Sequence, residues 1–183
     1  MPLELVTPPS VEPVTLDEAK AHLKVATTDD DALITQLISA ARARAEWHTG
    51  RAFVTQAWIL WLDAWPCNEA VEIPLPPLQA VSAITTYAQD GTSSVLDASL
   101  YQAASGRVAL KPGVSLPVSL RPLNAVSIAF TAGYGVGESN VPALIRQAML
   151  DIIADLYTNR GDGDGEMPLT VLALLAPYRM LKL

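Results

Sequence analysis

The stretch from Leu33 to Trp58 constrains the fold most, because a helical pattern, a glycine and a strand pattern follow one another within it. Gly50 supplies the left-handed residue with which helices commonly end. Aromatic and β-branched residues then run from Phe53 to Leu62, as expected of a strand. The stretch therefore predicts a long helix followed directly by the first strand of a sheet. The residues that recur at helical spacing on one face are Leu33, Ile34, Leu37, Ile38, Ala41 and Ala45.

The two ends of this helix carry charges of the expected sign. Asp29–Asp31 precede it, where a side-chain oxygen can cap free N–H groups and a negative charge suits the helix dipole. Arg42 and Arg44 lie toward the other end, which favours cations. The acidic residues are therefore predicted to cap the helix.

The segment before this helix contains prolines and a capping pattern. Four prolines fall within residues 1–14, which predicts an extended arm rather than a regular element. Thr15 and Glu18 have the spacing of a capping box, in which each side chain accepts a hydrogen bond from the other's backbone N–H. A short helix is predicted to follow as far as about Lys24.

The pattern between Phe53 and Tyr134 is that of short strands. Apolar runs are separated by prolines and glycines, and Asp90–Gly91 has the chemistry of a hairpin tip. Parallel strands would need crossover helices, and the pattern here contains none. An antiparallel sheet is therefore predicted.

A second long helix is predicted over residues 142–159, with Pro142 in its first turn and Asn140 as its cap. It is apolar over most of its girth, so it is expected to pack on several sides, within the subunit or against another subunit. A shorter helix is predicted from Leu169 to Leu175. The residues expected to serve core or subunit packing are Leu33, Leu37, Trp58, Ile145, Met149, Ile152 and Leu156.

These patterns together predict an α+β protein, a small bundle of about four helices with an antiparallel β insertion between the second and third main helices. An extended N-terminal arm is expected over residues 1–14. A discontinuous helical domain is expected over 15–52 and 135–183, and a β-rich insertion over 53–134.

Composition excludes several classes of protein. The net charge is −7 and the 12 Lys and Arg residues form no run, which argues against tight binding of nucleic acid. No apolar run approaches the roughly 18–20 residues that cross a bilayer. The N-terminus lacks the pattern of a secretory signal, so the chain is expected to stay in the cytoplasm where it is made. High hydrophobicity fits either a well-packed core or a subunit that buries surface against its own copies.

Two loops resemble ligand-binding sequences only in part. The glycine loop at residues 133–137 lies between a strand and a helix, but position 138 is Glu where a dinucleotide fingerprint needs glycine. The acidic turn at residues 162–166 imitates half of a calcium loop, and Met167 then stands where its glycine belongs. The single Cys67 can form no internal disulfide. No metal or cofactor is expected.

Histidine and tryptophan residues provide no catalytic constellation. His48 could act as a base, but no nucleophile motif accompanies it, and a packed or capping role is the simpler prediction. The tryptophans could stack bases of single-stranded nucleic acid, but without interleaved basic residues they are expected to fill the junction between helix and sheet. The four are Trp47, Trp58, Trp61 and Trp65. The chain is predicted not to be an enzyme.

Three blocks of sequence, in order, resemble the head–tail connector (adaptor) proteins of tailed bacteriophages and gene transfer agents. The first is VTLDEAKAHLKV at Val14–Val25. The second is EWHTGR at Glu46–Arg51, followed by Gln56 and Trp58. The third is VPALIRQAMLDIIADLYTNR from residue 141 to 160, closed by LLAPYR from residue 174 to 179. Order and spacing carry the resemblance, because each block consists mostly of core, cap and turn residues.

The resemblance implies a structural protein of the virion neck, present in the host cytoplasm before assembly. Members form a ring, usually dodecameric, under the portal through which DNA leaves the capsid, and offer a platform to the stopper or tail-completion protein. An acidic chain suits that place, because double-stranded DNA can pass without sticking. The resemblance also implies that the C-terminal segment docks on the portal protein. The residues expected to dock are Leu174, Leu175, Pro177, Tyr178, Arg179, Met180 and Leu181.

Two other functions stay open at the level of sequence. One is a small cytoplasmic module that binds a ligand through the glycine loop at 133–137 or the acidic turn at 162–166. The other is a tail-completion or neck protein at a different position in the same particle.

Overall fold

The structure is a computed structural model, and it describes residues 2–66, 70–117, 119–159 and 166–180. The chain divides into two compact units. One unit consists of Met1–Pro8 and Thr55–Gly133, and the other of Pro9–Val54 and Tyr134–Leu183. Within the described residues the fold has four α-helices, with antiparallel sheets between the second and third helix along the chain. The predicted fold class is confirmed.

The helical unit contains the four helices, and the start of the first and the end of the second follow local capping rules. Thr15 forms the predicted capping box: the Glu18 N–H donates to Thr15 Oγ1 over 3.2 Å, and the Thr15 N–H donates to Glu18 Oε2 over 3.0 Å. Gly50 ends the second helix in the left-handed region with φ 68°, as predicted. The helices are α1 (Leu16–Leu23), α2 (Asp31–Thr49), α3 (Ala143–Asn159) and α4 (Leu169–Leu175).

The core of this unit forms where α2 packs on α3. Ile145, Met149 and Ile152 of α3 have no exposed surface. Leu37 and Leu156 are half-buried against the same cluster, whereas Leu33 is 38% exposed and lies outside it. The broad apolar girth of α3 is therefore used largely within the unit. The other fully buried members of the core, from all four helices and the segments that flank them, include Ala19, Ile34, Ala41, Ala45, Phe53, Ala148, Ile153, Val171 and Leu175.

The predicted side-chain cap of α2 is wrong, whereas Asp31 provides the expected acidic charge in the first turn. Asp30 occupies the N-cap position without a side-chain capping bond. Its Oδ2 instead accepts from the Tyr157 hydroxyl over 2.5 Å, and Asp31 Oδ1 accepts from Lys20 Nζ over 2.5 Å. These carboxylates tie the start of α2 to α3 and α1. Tertiary partners outcompete the local cap.

The predicted cap of α3 is also wrong, here because a local turn takes up the side chain. Asn140 lies in a short 3₁₀ turn (Glu138–Asn140), and its Oδ1 accepts from the Gly137 N–H over 3.1 Å. The Pro142 carbonyl instead accepts from the backbone N–H of Ile145 and of Arg146. Asn140 therefore closes the preceding turn and does not cap the helix.

The β unit contains two antiparallel sheets. The larger sheet has the order β1-β2-β8-β4-β5 and the smaller one β3-β7-β6. The predicted hairpin tip at Asp90–Gly91 connects β4 to β5, and Gly91 has a φ of 88°. The strands are β1 (Leu3–Thr7), β2 (Gln56–Leu62), β3 (Val71–Glu72), β4 (Leu78–Tyr87), β5 (Ser93–Val95), β6 (Tyr101–Ala104), β7 (Arg107–Leu110) and β8 (Val126–Ala132).

Strand β1 corrects the prediction of an arm without a regular element. Leu3 pairs with Leu60 and Leu5 with Trp58, so residues 3–7 form an edge strand of the larger sheet. Met1–Pro8 consequently belongs to the β unit, not to a separate arm. The prolines bound the strand instead of replacing it.

One face of the larger sheet is closely packed. Leu60, Ile128 and Ile84 lie next to one another across β2, β8 and β4, and all are buried. Trp58 lies on the same face beside Phe130 and is half-buried. Its indole Nε1 is buried with no hydrogen-bond partner among the described residues. Trp58 therefore packs within the β unit.

We predict that Ile152→Ala lowers the free energy of unfolding by about 2–5 kcal/mol, because it leaves a cavity in the core between α2 and α3. Leu169→Ala is the matched control, since Leu169 is 84% exposed and a surface truncation changes stability by only about 0.5 kcal/mol. Urea denaturation followed by circular dichroism measures both. Equal losses for the two variants would contradict the assignment of the core.

The capping box predicts that the stability of the fold depends on pH. The Thr15 backbone N–H above all, and the Arg146 guanidinium, lower the pKa of Glu18 from its ordinary value of 4.5. A carboxylate with a lowered pKa stabilises the folded state above its unfolded pKa, and this contribution is lost as pH falls through the folded pKa. The difference in stability between the native chain and Glu18→Gln should be constant above about pH 5.5 and shrink below pH 4.5. A difference that stays constant into acid would contradict the role of Glu18.

Candidate functional site

The end of α2 is the centre of the candidate site, because the EWHTGR sequence there contacts both the chain that follows it and the C-terminal segment of the helical unit. The backbone N–H groups of Gly50 and Arg51 both donate to the Glu46 carbonyl, over 2.8 and 3.3 Å. The positive φ of Gly50 lets the chain turn back at this point. A Cβ at Gly50 would only make ordinary contact, 3.5 Å from Met180 Cβ, so the backbone angle and not a lack of space requires glycine.

The Glu46 carboxylate holds the turned chain against the helix. Its Oε1 accepts from the Phe53 N–H over 2.8 Å, and its Oε2 accepts from Arg42 Nη1 over 2.9 Å. Arg42 Nε also donates to Glu12 Oε2 over 2.7 Å. Burial disfavours the charged guanidinium, but the hydrogen bonds and charges of Glu12 and Glu46 outweigh it and raise the pKa of Arg42. One arginine thus links the segment before α1, the end of α2 and the turn.

The C-terminal segment lies along the same end of α2. After α4, a short 3₁₀ turn (Ala176–Tyr178) places the Tyr178 carbonyl 2.6 Å from Arg51 Nε, which donates to it. The Met180 N–H donates to the Thr49 carbonyl over 2.9 Å. Residues 176–180 and the end of α2 therefore form one continuous surface.

The predicted docking residues divide into exposed and buried ones. Pro177, Arg179 and Met180 are exposed, and Met180 has 45% of its surface accessible. Leu174 and Tyr178 are half-buried against the core. Leu181 lies outside the described residues.

Leu175 cannot serve as a docking residue in this conformation. Its side chain is fully buried in the core of the helical unit. The prediction that it contacts the portal is therefore wrong, because the inner side of α4 packs on the helices.

The prediction made for Trp47 from the sequence is wrong. It was expected to fill a junction between helix and sheet, but it is 88% exposed on α2. The neighbouring His48 has its pKa lowered, first by burial and second by the charge of Arg179. His48 therefore borders the surface formed by residues 176–180. The exposure of Trp47 could have been found only by projecting α2 onto a helical wheel, where Trp47 falls opposite Ala45 and Thr49.

The other tryptophans lie in the β unit. Trp61 lies 5.6 Å from Tyr87 between ring centroids, and its Nε1 donates to Glu4 Oε2 over 3.0 Å. The Arg121 guanidinium lies over both rings, 4.2 Å from the Tyr87 centroid. Trp65 is half-buried. These rings hold strands and loops together and do not form a stacking platform.

The glycine loop considered as a ligand site has a simpler explanation. A Cβ at Gly135 would lie 2.4 Å from Asn140 Cγ, so this glycine is required by close packing within the turn before α3. Residues 162–165 of the acidic turn lie outside the described residues, as does Cys67. Among the residues that are described, no group of three His, Cys, Asp or Glu side chains could hold a metal ion. No helix of the described chain is long and apolar enough to cross a membrane.

Solved structures that resemble this chain come from particles of a gene transfer agent. A chain from the neck of an empty particle, computed with C6 symmetry, is 28% identical and superposes with a TM-score of 0.85. A chain from the neck of a native particle, computed with C12 symmetry, is also 28% identical, with a TM-score of 0.83. A chain from the virion of the native particle is 27% identical, with a TM-score of 0.84. Each match covers 100% of this chain and 97% of the other.

The family comparison agrees with these structures. No curated protein matches the sequence. Residues 13–104, about half of the chain, match the family described as Phage gp6-like head-tail connector protein. This segment contains α1, α2 and the EWHTGR turn whose contacts are given above. The resemblance drawn from the sequence is confirmed: the chain belongs to the Phage gp6-like head-tail connector family, whose members are structural connectors and not enzymes.

Proposed function

We propose that the protein is a ring-forming subunit of the neck of a phage or gene transfer agent particle. In this role it lies under the portal, joins the DNA-filled head to the stopper or tail, and lines the DNA exit channel. The observation that carries the proposal is the match to neck chains over 100% of this chain and 97% of theirs. Both compact units, not one shared domain, have counterparts in those neck chains.

A dodecameric ring is the assembly we propose. It is supported by the neck of the native particle, which was computed with C12 symmetry and contains a chain with the same fold. A ring requires two different surfaces on each subunit that fit each other head to tail and close. Because the match covers this whole chain and 97% of the neck chain, we expect both of these surfaces to lie on this chain.

Passage of DNA without binding is consistent with the charge of the chain. The net charge is −7, and like charge lowers adhesion to phosphate groups. Several cations are already engaged by carboxylates or carbonyls, as Arg42, Arg51 and Arg146 show. The proposed contact with DNA is therefore transient and independent of sequence.

The C-terminal segment is the surface we assign to the portal protein. Pro177, Arg179 and Met180 are exposed, and hydrogen bonds from Arg51 and to Thr49 hold the segment in place. Arginine and methionine are enriched at protein interfaces, and a preformed segment loses little entropy on binding. Leu174, Tyr178 and Leu181 remain proposed members of this surface.

Co-purification with the portal protein of the same genome tests the proposed function. Negative-stain electron microscopy of the purified complex should show an added ring layer on the portal, with the symmetry of the subunits visible in class averages. A bare portal, with this protein eluting separately, would contradict the adaptor role. That outcome would favour another position in the neck or tail.

We predict that the double variant Arg179→Ala, Met180→Ala loses at least about tenfold in affinity for the portal, because two exposed interface side chains are removed. Both side chains are exposed, so the melting temperature should change little. This variant is preferable to deletion of residues 177–183, which would also remove the Tyr178 and Met180 backbone contacts with α2.

The control for this variant is Leu169→Ala, which truncates another exposed side chain of the helical unit. Biolayer interferometry with immobilised portal measures the affinity of both. Unchanged binding by the double variant would remove the C-terminal segment from the docking surface.

A further inference from the structure

Helix α2 presents to solvent a face without a single charged residue. Seven positions along its 19 residues are exposed. Trp47 is 88% exposed and Leu33 38% exposed. The Thr35 hydroxyl donates to the Asp31 carbonyl over 2.8 Å, so even this polar group is satisfied within the helix. The outer face of α2, as we define it, consists of Ala32, Leu33, Thr35, Gln36, Ala40, Ala43 and Trp47.

A helix face that serves only to meet water usually carries charged residues. The charges of α2 lie elsewhere: Arg42 and Glu46 are half-buried and pair with each other over 2.9 Å. The alanines of the outer face allow another helix to approach to about 8–10 Å between axes. An exposed tryptophan is the residue type that most often contributes binding energy at protein interfaces. The outer face of α2 therefore has the composition of an interface.

We propose that the outer face of α2 packs against a second copy of this chain and forms one side of the contact between neighbouring subunits in the ring. This inference rests on the proposed function. The sequence left open whether the apolar girth of α3 serves this contact, but most apolar residues of α3 are buried within its own unit, with Leu144 46% exposed. The uncharged outer face of α2 is exposed and can contact another copy, whereas the apolar side of α3 is largely buried.

The charges at the border of this face indicate which surface of the second copy it meets. Arg44 lies one turn from Trp47 on α2 and borders the outer face. The solvent side of α3 carries an acidic strip in which Gln147 donates to Asp151 over 2.9 Å and Asn159 donates to Asp155 over 2.8 Å. Opposite charges on different helices suit a head-to-tail contact between α2 of one copy and α3 of the next.

The two surfaces are distinct, as a closed ring requires. His22 of α1 lies 3.7 Å from Asp151, which places the acidic strip on the side of α3 that faces α1. The core residues of α2, such as Ile34 and Ala41, lie opposite its outer face. A contact between unlike faces is heterologous and generates a ring when the rotation closes. DNA is a poor occupant of the outer face, because its seven residues include no cation.

The test is assembly of the ring layer on the portal by variants of the full chain. Ala43→Glu and Trp47→Glu place a charge on the outer face of α2 and should lower the occupancy of the ring layer by at least about tenfold. Val136→Glu is the control, because Val136 is 72% exposed in the loop before α3. Circular dichroism melts should show that all three variants fold. A complete layer formed by Ala43→Glu and Trp47→Glu would overturn the inference.

A charge exchange tests the orientation of the contact. Arg44→Asp and Asp155→Arg should each weaken the layer, and the double variant should recover most of it, because the pair is restored across the interface. The double variant would not recover the ring layer if Arg44 or Asp155 acted only within its own subunit. Failure of the double variant, with both singles impaired, would exclude α3 as the counter-surface.

These outcomes separate the inference from the proposed function on which it rests. If the native chain adds a ring layer and the outer-face variants add the same layer, the adaptor role stands and this interface is wrong. If the native chain adds no layer, the proposed function fails first and the inference fails with it.

Discussion

The helical unit depends on the carboxylate of Glu46, which ties the residues that follow α2 back to the helix. It accepts a hydrogen bond from the Phe53 N–H and another from Arg42, whose guanidinium also reaches Glu12. Buried charges are stable only when they are paired and hydrogen-bonded, and each group here satisfies another. Removing Glu46 would leave Arg42 with one partner fewer and the Phe53 N–H without its acceptor. The direction in which the chain leaves α2 is therefore fixed by one side chain and by the left-handed Gly50.

Packing of α2 on α3 decides which surfaces remain for assembly. Most apolar side chains of α3 are buried within the unit, so its apolar side offers little surface to a neighbour. Three surfaces of the described helical unit remain: the uncharged outer face of α2, the acidic strip of α3 and the segment at 176–180. In the proposed assembly, the outer face of α2 contacts the acidic strip of α3 in the next copy, and the segment at 176–180 contacts the portal. The proposed ring needs both kinds of contact, since each subunit must bind its neighbour and also attach to the portal.

Local rules explain what the sequence predicts well. The capping box at Thr15, the stop at Gly50 and the hairpin tip at Asp90–Gly91 each depend on neighbours within a few residues, and all three occur as expected. Long-range partners explain the errors. Strand β1 exists because it pairs with β2, more than fifty residues away, which no pattern in the first eight residues reveals. Asp30 bonds to Tyr157 and leaves the cap unfilled for the same reason. The family resemblance predicted the connector function, but it could not predict that Arg179 is exposed and Leu175 is buried.

The most direct test of the connector function is electron microscopy of particles assembled without this gene. The account predicts heads that contain a portal but carry no tail, because the layer between portal and tail is missing. Supplying the native chain from a second copy of the gene should restore tailed particles. Normal tailed particles in the absence of the gene would contradict the account, since no head–tail connector could then be required from this chain.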